Sequence, residues 1–189
     1  MFINIHGRNG KWNNNKYLWL REHFTDEEIY SPQNDYGNAH PEDIIEDLEK
    51  QIGKAKAENK KIRILATSMG AFFADILNIR YPEITTVMVN PSFLPFVNLR
   101  GDDEVPLDIC REYTALFGSY VLNGLSDRKH LYIVCAVDDE VIDHKKYTRP
   151  FLPPGFENIS FTKGGHRLDI FDEKLTRTLL PLFGANQPH

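Results

Sequence analysis

The stretch from Lys61 to Ala74 places the tightest constraint on this chain, because it changes from a strand pattern to a helical pattern around one serine. The β-branched and apolar run 61–65 leads into Ala66-Thr67-Ser68-Met69-Gly70, and the apolar sequence from Ala71 onward continues as a helix. A serine at such a turn projects its oxygen out of the sheet, close to the first N–H groups of the helix. The pattern therefore predicts a nucleophilic Ser68 between a strand and a helix.

Length and composition are those of an ordinary globular protein. The chain has 189 residues, of which 41% are hydrophobic and 26% are charged, and it contains no linker rich in proline, glycine or serine. A chain of this length can bury a sizeable core in one unit. We therefore expect a single domain over residues 1–189.

Charge and hydropathy argue against several classes of partner. The net charge is -5 and no block of five like charges occurs, whereas nucleic acids and anionic membranes need clustered lysine and arginine. No apolar run approaches the roughly 18 residues of a membrane span, and the N-terminus lacks a secretory pattern. Cys135 falls inside an apolar strand pattern, which favours a buried thiol over a disulfide with Cys110. These features predict a cytoplasmic protein without nucleic-acid or membrane partners.

Strand and helix patterns alternate along the chain. The predicted strands are residues 2–5, 29–30, 61–65, 84–89, 131–137 and 159–161, and the predicted helices are residues 12–24, 41–59, 71–81, 107–120, 143–151 and 171–183. Repeated alternation of this kind predicts an α/β fold, with a mostly parallel central sheet and helices on both faces.

The segment from Ser92 to Asp127 breaks this alternation. It contains Pro95, Pro106 and the acidic run Asp102-Asp103-Glu104, together with one helical pattern. An insertion after the carboxyl end of a strand in an α/β sheet lies over the site. We therefore expect a small helical cap at about residues 92–127.

Reactive side chains follow three different predicted strands. Ser68, the pair Asp138-Asp139, and His166 all stand just beyond carboxyl ends, which is the edge where open parallel sheets form their sites. The order serine, aspartate, histidine is that of α/β hydrolases rather than of chymotrypsin or subtilisin. Either aspartate could be the acid. His144 is a rival base, but only His166 follows a strand and precedes the last helix.

Five short motifs carry a resemblance to a known family. They are His6-Gly7, Ser68-Met69-Gly70, Val89-Asn90-Pro91, Asp139-Glu140-Val141-Ile142-Asp143 and Gly164-Gly165-His166. On these motifs the chain resembles the α/β-hydrolase superfamily, in particular the compact bacterial YqiA-like esterases, over nearly its whole length. The resemblance implies a truncated α/β-hydrolase fold without the two N-terminal strands of larger members. It also implies an ester hydrolase with Ser68 as nucleophile, Asp139 as acid and His166 as base.

The predicted chemistry is cleavage of a small ester or thioester through an acyl-enzyme. His166 would accept the Ser68 proton, and Asp139 would hold the imidazole in the required tautomer. The backbone N–H groups of Met69 and Arg8 would bind the oxyanion. This chemistry requires neither a cofactor nor a metal, and we expect a monomer or a weak homo-oligomer. The usual serine turn of such hydrolases, the nucleophile elbow, has the motif Gly-x-Ser-x-Gly, and here Ala66 replaces its first glycine. Because alanine is the smallest alternative, we expect the turn to form.

Other interpretations stay open at this point. Ser68 could cap the following helix, and the hydrophobic residues of the cap could either line an acyl pocket or pack as core. The acids near residue 140 could form a metal cluster, although they lack a recognised ligand spacing. The chain could also be a non-catalytic binding module that retains a hydrolase fold. The cap residues are Phe93, Leu94, Phe96, Leu116, Phe117 and Tyr120, and the metal candidates are Asp138, Asp139, Asp143 and His144.

Overall fold

A sheet of parallel strands forms the centre of the protein. The computed structural model describes residues 1–99, 105–121, 128–169 and 171–184. Within these ranges six strands lie in the order β2-β1-β3-β4-β5-β6, and every neighbouring pair is parallel. The predicted α/β class is therefore confirmed. The strands are β1 (Phe2–Ile5), β2 (Ile29–Tyr30), β3 (Arg63–Thr67), β4 (Thr85–Val89), β5 (Leu131–Ala136) and β6 (Ile159–Thr162).

Five of the six predicted helices are shorter than expected, the one predicted at 71–81 begins and ends one residue earlier, and the short helix Pro95–Leu99 was not predicted. The first begins at Asn15 instead of Trp12, because the Asn14 side chain caps it by accepting from the N–H groups of Lys16 and Tyr17. The predicted helix 107–120 leaves the α conformation after Leu116 and continues as a π turn over Phe117–Val121. The helices are α1 (Asn15–His23), α2 (Pro41–Ala57), α3 (Gly70–Arg80), α4 (Pro95–Leu99), α5 (Leu107–Leu116), α6 (His144–Tyr147), with a 3-10 turn at Arg149–Phe151, and α7 (Glu173–Phe183).

Two hydrophobic clusters cover the opposite faces of the sheet. Successive strand residues point to opposite faces, so Ile64 packs in one cluster and the adjacent Leu65 in the other. The larger cluster contains side chains of α2, α3 and α5, and the smaller contains Trp19 of α1 and Phe183 of α7. Because both faces are covered, the central strands β1, β3, β4 and β5 are mostly buried and apolar. The candidate reactive residues Ser68, Asp139 and His166 lie beyond the ends of strands.

The described part of the predicted cap packs beside the sheet. Tyr113 of α5 is fully buried, with its ring centroid 5.7 Å from that of Phe72 and 6.0 Å from that of Phe73, both in α3. The acidic run 102–104 and residues 122–127 lie outside the described residues. Whether the segment covers the site thus stays a prediction.

Two further expectations concern the cysteines and membrane-spanning helices. Cys110 and Cys135 are both free thiols, and Cys135 is fully buried, as its strand pattern predicted. In the described ranges, no helix combines the length and apolar character needed to span a bilayer.

Candidate active site

Ser68 occupies a strained turn between β3 and α3. Its φ angle is 51°, a left-handed conformation that costs a non-glycine residue about 1–3 kcal/mol. Its N–H donates to Val89 O at 2.9 Å, and its carbonyl accepts from Ser92 N at 3.1 Å. These bonds hold the turn against the end of β4. The strand, the strained serine and the helix together have the geometry of a nucleophile elbow.

Two glycines bring the loop after β1 into contact with this turn. A Cβ atom on Gly70 would lie 2.5 Å from the carbonyl oxygens of both Ile5 and His6, so only glycine lets α3 begin this close to β1. A Cβ atom on Gly7 would lie 3.0 Å from Ser68 Cβ. Ala66, at the first glycine position of the usual motif, is fully buried and pairs with Ile5 and Met88 in the sheet. The turn forms with alanine at that position.

His166 lies between Ser68 and Asp139. Its Nε2 is 2.9 Å from Ser68 Oγ, and its Nδ1 is 2.9 Å from Asp139 Oδ2 and 3.0 Å from Oδ1. The Asp139 side chain is 1% exposed and the His166 side chain is 16% exposed. With Nδ1–H donating to the carboxylate, Nε2 is free to accept the Ser68 hydroxyl proton. The structure thus brings the three predicted residues into one hydrogen-bonded chain.

Asp139 is held in its ionised form. Burial raises its pKa, but the hydrogen bond with His166 and the N–H groups of Ile142 and Val141, each 2.8 Å from Oδ1, outweigh this effect. The net result is a pKa below the usual range of an aspartate. Near neutral pH the carboxylate is therefore charged, as it must be to orient an imidazole and stabilise its cationic form.

Asp138 and Glu140, the two neighbours of Asp139, bind the backbone of the loop after β6. This loop carries Gly164, Gly165 and His166 and is called the histidine loop below. Asp138 Oδ1 accepts from Gly164 N at 3.0 Å and from Gly165 N at 3.1 Å, and Glu140 Oε2 accepts from His166 N at 2.9 Å. The N–H groups of Gly165 and Gly164 lower the pKa of Asp138 below its usual range. Of the two candidate acids, Asp139 contacts the imidazole and Asp138 contacts the loop.

Asn90 is a supporting residue to which the sequence analysis assigned no role. It is fully buried with a φ of 46°, and its Nδ2 donates to the carbonyls of His166 at 2.8 Å and Gly165 at 3.0 Å. Its Oδ1 accepts from Ala136 N at 2.7 Å. Asn90 therefore ties the histidine loop to the ends of β4 and β5. The available signal was an asparagine directly after a buried strand and before Pro91.

His144, the rival base, contacts the same acid from another side. Its Nε2 is 2.9 Å from Asp139 Oδ2, and its Nδ1 is 2.7 Å from Thr148 Oγ1. Burial lowers its pKa and the nearby Asp139 carboxylate opposes that shift, so the net shift is downward and favours the neutral imidazole. His144 thus adds a further hydrogen-bond donor to Asp139, whereas His166 joins Asp139 to Ser68.

The two predicted oxyanion donors flank the serine. Met69 directly follows Ser68 at the start of α3, and Arg8 follows Gly7, whose close approach to Ser68 was described above. The buried His6 supports this loop, because its Nδ1 lies 2.6 Å from Gly7 O and its Nε2 accepts from Asn34 N at 2.9 Å. Burial lowers the pKa of His6 and favours this neutral form. The role of the Met69 and Arg8 N–H groups stays a prediction.

A cleft of about 540 Å³ opens beside Ser68 and His166. No described residue of 92–127 lines it. Its described lining residues are His6, Gly7, Arg8, Asn9, Gly10, Lys11, Asn13, Asn14, Asn15, Lys16, Thr67, Ser68, His166, Arg167 and Asp169.

The hydrophobic residues of the predicted cap lie elsewhere. Phe93 and Leu94 line a separate pocket of about 210 Å³, together with Val141 and Ile142 from the loop after β5. Phe96 packs on Phe117, with ring centroids 5.5 Å apart. Leu116 and Tyr120 line a groove beside α2. Of the six candidates for an acyl pocket, only Phe93 and Leu94 therefore approach the loop that carries Asp139.

The side chains of the possible metal cluster form hydrogen bonds with other partners. Asp143 caps α6 by accepting from the N–H groups of Lys145 and Lys146, and Asp138 binds the histidine loop. Within the part of the chain that the structure describes, no group of three or more histidine, cysteine, aspartate or glutamate side chains is arranged to hold a metal ion.

The parallel sheet and the strained serine turn together form an α/β-hydrolase fold. Est1E from Butyrivibrio proteoclasticus has a similar structure, with a TM-score of 0.70 at 14% identity over 96% of this chain and 87% of that one. A structure from a study of LipS and LipT, two metagenome-derived lipolytic enzymes, has a TM-score of 0.68 at 11% identity, over 96% and 92% of the two chains. Identities this low show a shared fold and nothing finer.

The chain belongs to the uncharacterised protein family UPF0227, whose model matches residues 1–180. This match confirms the predicted resemblance to compact, YqiA-like α/β hydrolases. A third similar structure is MGS-MChE2, an α/β-hydrolase enzyme from the metagenome of lagoon sediments at Mar Chica, Morocco. It has a TM-score of 0.64 at 16% identity, over 96% of this chain and 89% of that one. Comparison with curated proteins gives no significant match.

Proposed function

We propose that the protein is a serine hydrolase that cleaves small carboxylic esters or thioesters through an acyl-enzyme. The observation that carries this proposal is the continuous chain of hydrogen bonds from Ser68 Oγ through His166 to the buried Asp139. A helix-capping serine has no need of a histidine 2.9 Å from its oxygen. The strain at Ser68 gives independent support, because left-handed non-glycine residues cluster at functional sites.

In the proposed reaction, Ser68 Oγ attacks the acyl carbon while its proton moves to His166 Nε2. The N–H groups of Met69 and Arg8 bind the oxyanion that forms on the carbonyl oxygen. The bond to the leaving oxygen or sulfur then breaks, and His166 returns its proton to that atom. Water repeats the sequence on the acyl-enzyme, releasing the acid and restoring Ser68. Asp139 holds the imidazole throughout and stabilises its charged form.

The similar structures support esters as the substrate class. Est1E carries an esterase name and another of its structures contains ferulic acid, while LipS and LipT are described as lipolytic. The two free cysteines are consistent with a reducing compartment, and we propose a cytoplasmic location on that ground.

The test is labelling of the purified protein with a fluorophosphonate probe, combined with hydrolysis of p-nitrophenyl butyrate. We expect the wild type to label and to hydrolyse the ester, and Ser68→Ala to do neither. Ser160→Ala is the matched control, since Ser160 lies in β6 and lines a different pocket. A wild type that neither labels nor hydrolyses the ester would overturn the proposal. If Ser68→Ala keeps the full effect of the wild-type protein in the cell, that result would instead support the alternative of a non-catalytic binding module.

A further inference from the structure

The charge of the cleft beside Ser68 is opposite to that of the whole chain. Apart from Arg8, which has an interaction of its own, the described residues that line it include three basic side chains, Lys11, Lys16 and Arg167, and one carboxylate, Asp169. The chain as a whole has a net charge of -5. A positive cleft in an acidic protein concentrates field lines and attracts anions to one place. That place is where Ser68 and His166 are exposed to a ligand.

We propose that this cleft binds a carboxylate or phosphate group of the substrate, which is thus an anionic ester or thioester. The inference rests on the proposed function, because it assumes that Ser68 Oγ attacks the substrate. It goes further by stating which chemical group accompanies the scissile bond.

Arg167 and Lys11 have little charge compensation from the other described residues. Arg167 Nε is 3.5 Å from Asp169 Oδ1, but their side chains are 82% and 49% exposed, so solvent screens this pair and it contributes little. The same Asp169 oxygen accepts a hydrogen bond from Asn15 Nδ2 at 3.0 Å. In the described part of the chain, Lys11 is exposed and forms no ion pair. An anionic ligand would therefore meet cations that keep hydrogen-bonding capacity.

Lys16 has a different task from the other cations. It is buried, and its Nζ donates to the carbonyl of Arg167 and, at 2.8 Å, to that of Leu168. Burial lowers the pKa of Lys16 to about 8, the Asp169 charge opposes this shift and the Arg167 charge adds to it. Lys16 thus positions the loop that presents Arg167. An anion in the cleft would relieve the repulsion between these two cations.

The remaining lining fits a small polar ligand. The cleft volume of about 540 Å³ lies within the range of small-molecule sites, which is roughly 300–1,000 Å³. Asn9 and Asn13 add side-chain amide groups, and few large apolar side chains line the cleft. A long aliphatic chain would bury poorly against such a wall. A carboxylate or phosphate would find charge-assisted hydrogen bonds there.

The first experiment compares three esters with the same acyl length. They are p-nitrophenyl butyrate, mono-p-nitrophenyl succinate, and p-nitrophenyl butyrate carrying a carboxylate on the phenyl ring. We expect kcat/KM to be about 10-fold or more higher for at least one anionic ester than for the neutral one at low salt. The anionic ester with the higher kcat/KM shows whether the cleft binds a charge on the acyl side or on the leaving-group side. High salt should reduce the preference.

The variants test whether the cleft causes the preference. In Lys11→Gln/Arg167→Gln, we expect the ratio of anionic to neutral kcat/KM to fall towards one. Lys54→Gln, an exposed lysine of α2 outside the cleft, should keep the wild-type ratio. A wild type that hydrolyses all three esters equally, or a double variant that keeps the preference, would overturn the inference.

A binding arm separates this inference from the proposed function. Inorganic phosphate and succinate are titrated by calorimetry into Ser68→Ala and into Ser68→Ala/Lys11→Gln/Arg167→Gln. We expect binding of at least one anion to the first protein and about 10-fold weaker binding to the second. Binding without any ester hydrolysis by the wild type would overturn the proposed function and keep the anion site. Ester hydrolysis without anion binding and without a preference for anionic esters would keep the proposed function and overturn the anion site.

Discussion

Two loops approach Ser68 from opposite sides, and different forces hold them. The loop after β1 comes close because Gly7 and Gly70 carry no side chains where another residue would clash. The loop after β6 is held by polar groups, since Asp138, Glu140 and Asn90 all bind its backbone. The first loop depends on shape, and the second depends on hydrogen bonds and charge.

This difference has a consequence for how the site responds to change. Steric contact does not titrate, so the packing of Gly7 and Gly70 should not depend on pH, and the buried His6 is the titratable support of the loop after β1. Carboxylates lose their charge in acid, so the loop after β6 should lose the stabilisation that its anionic acceptors provide. Substitutions in the first loop should act through overpacking, and those in the second through lost hydrogen bonds.

The largest effect is expected at the carboxylate that contacts the imidazole. Asp139→Asn leaves the shape nearly unchanged but no longer holds His166 in the required tautomer, so kcat should fall about 10³- to 10⁴-fold. Asp138→Asn is the matched control, because it is adjacent and contacts only the loop backbone. Steady-state hydrolysis of p-nitrophenyl butyrate measures both. Equal losses in the two variants would contradict the separate tasks assigned to these aspartates.

The largest steric effect is expected at Gly70. Alanine there would place a Cβ atom 2.5 Å from two backbone carbonyl oxygens, which cannot move as a flexible side chain can. We expect Gly70→Ala to reduce the free energy of unfolding by about 3 kcal/mol, measured by urea denaturation. Gly53→Ala in α2 is the control, since no atom lies within 4 Å of the added Cβ. That variant should gain up to about 1 kcal/mol. Matching losses in the two would show that backbone crowding is not the cause.

Gly7→Ala should affect activity more than stability. Its Cβ would lie 3.0 Å from Ser68 Cβ, so the loop carrying Arg8 must shift by a few tenths of an ångström. We expect kcat to fall about 10-fold, because the proposed oxyanion donor would leave its position. The midpoint of urea unfolding should move much less than in Gly70→Ala. An unchanged kcat would argue against an oxyanion donor in this loop.

The smallest effect is the acid sensitivity of the histidine loop. Because the folded-state pKa of Asp138 is lowered from 3.8, its ionised form stabilises the folded protein at pH values above 3.8. That stabilisation is lost as the pH falls through the folded-state value. Wild type and Asp138→Asn should therefore differ in their urea midpoints at pH 7, and this difference should shrink at a second pH well below 3.8. A difference that is the same at both pH values would mean that charge does not hold this loop.

Much of the fold was predictable because its signals are local. The strand, serine and helix around Ser68 are neighbours in the chain, so their order follows from a local pattern. The end of α5 was not predictable in this way. The π turn Phe117–Val121 packs against α3, where Arg80 lies over the ring of Tyr120, and no signal within residues 107–120 reports that contact.

The site divides along the same line. The sequence alone determined the fold class, the serine turn and the ends of the strands where Asp138-Asp139 and His166 stand, because each depends on residues adjacent in the chain. Only the tertiary structure decided that Asp139 contacts the imidazole, that His144 contacts Asp139, and that Asn90 holds the histidine loop. It also brought basic residues from both ends of the chain to one cleft. Side-chain contacts between segments up to about 150 residues apart depend on how the strands and loops pack, and no local pattern encodes them.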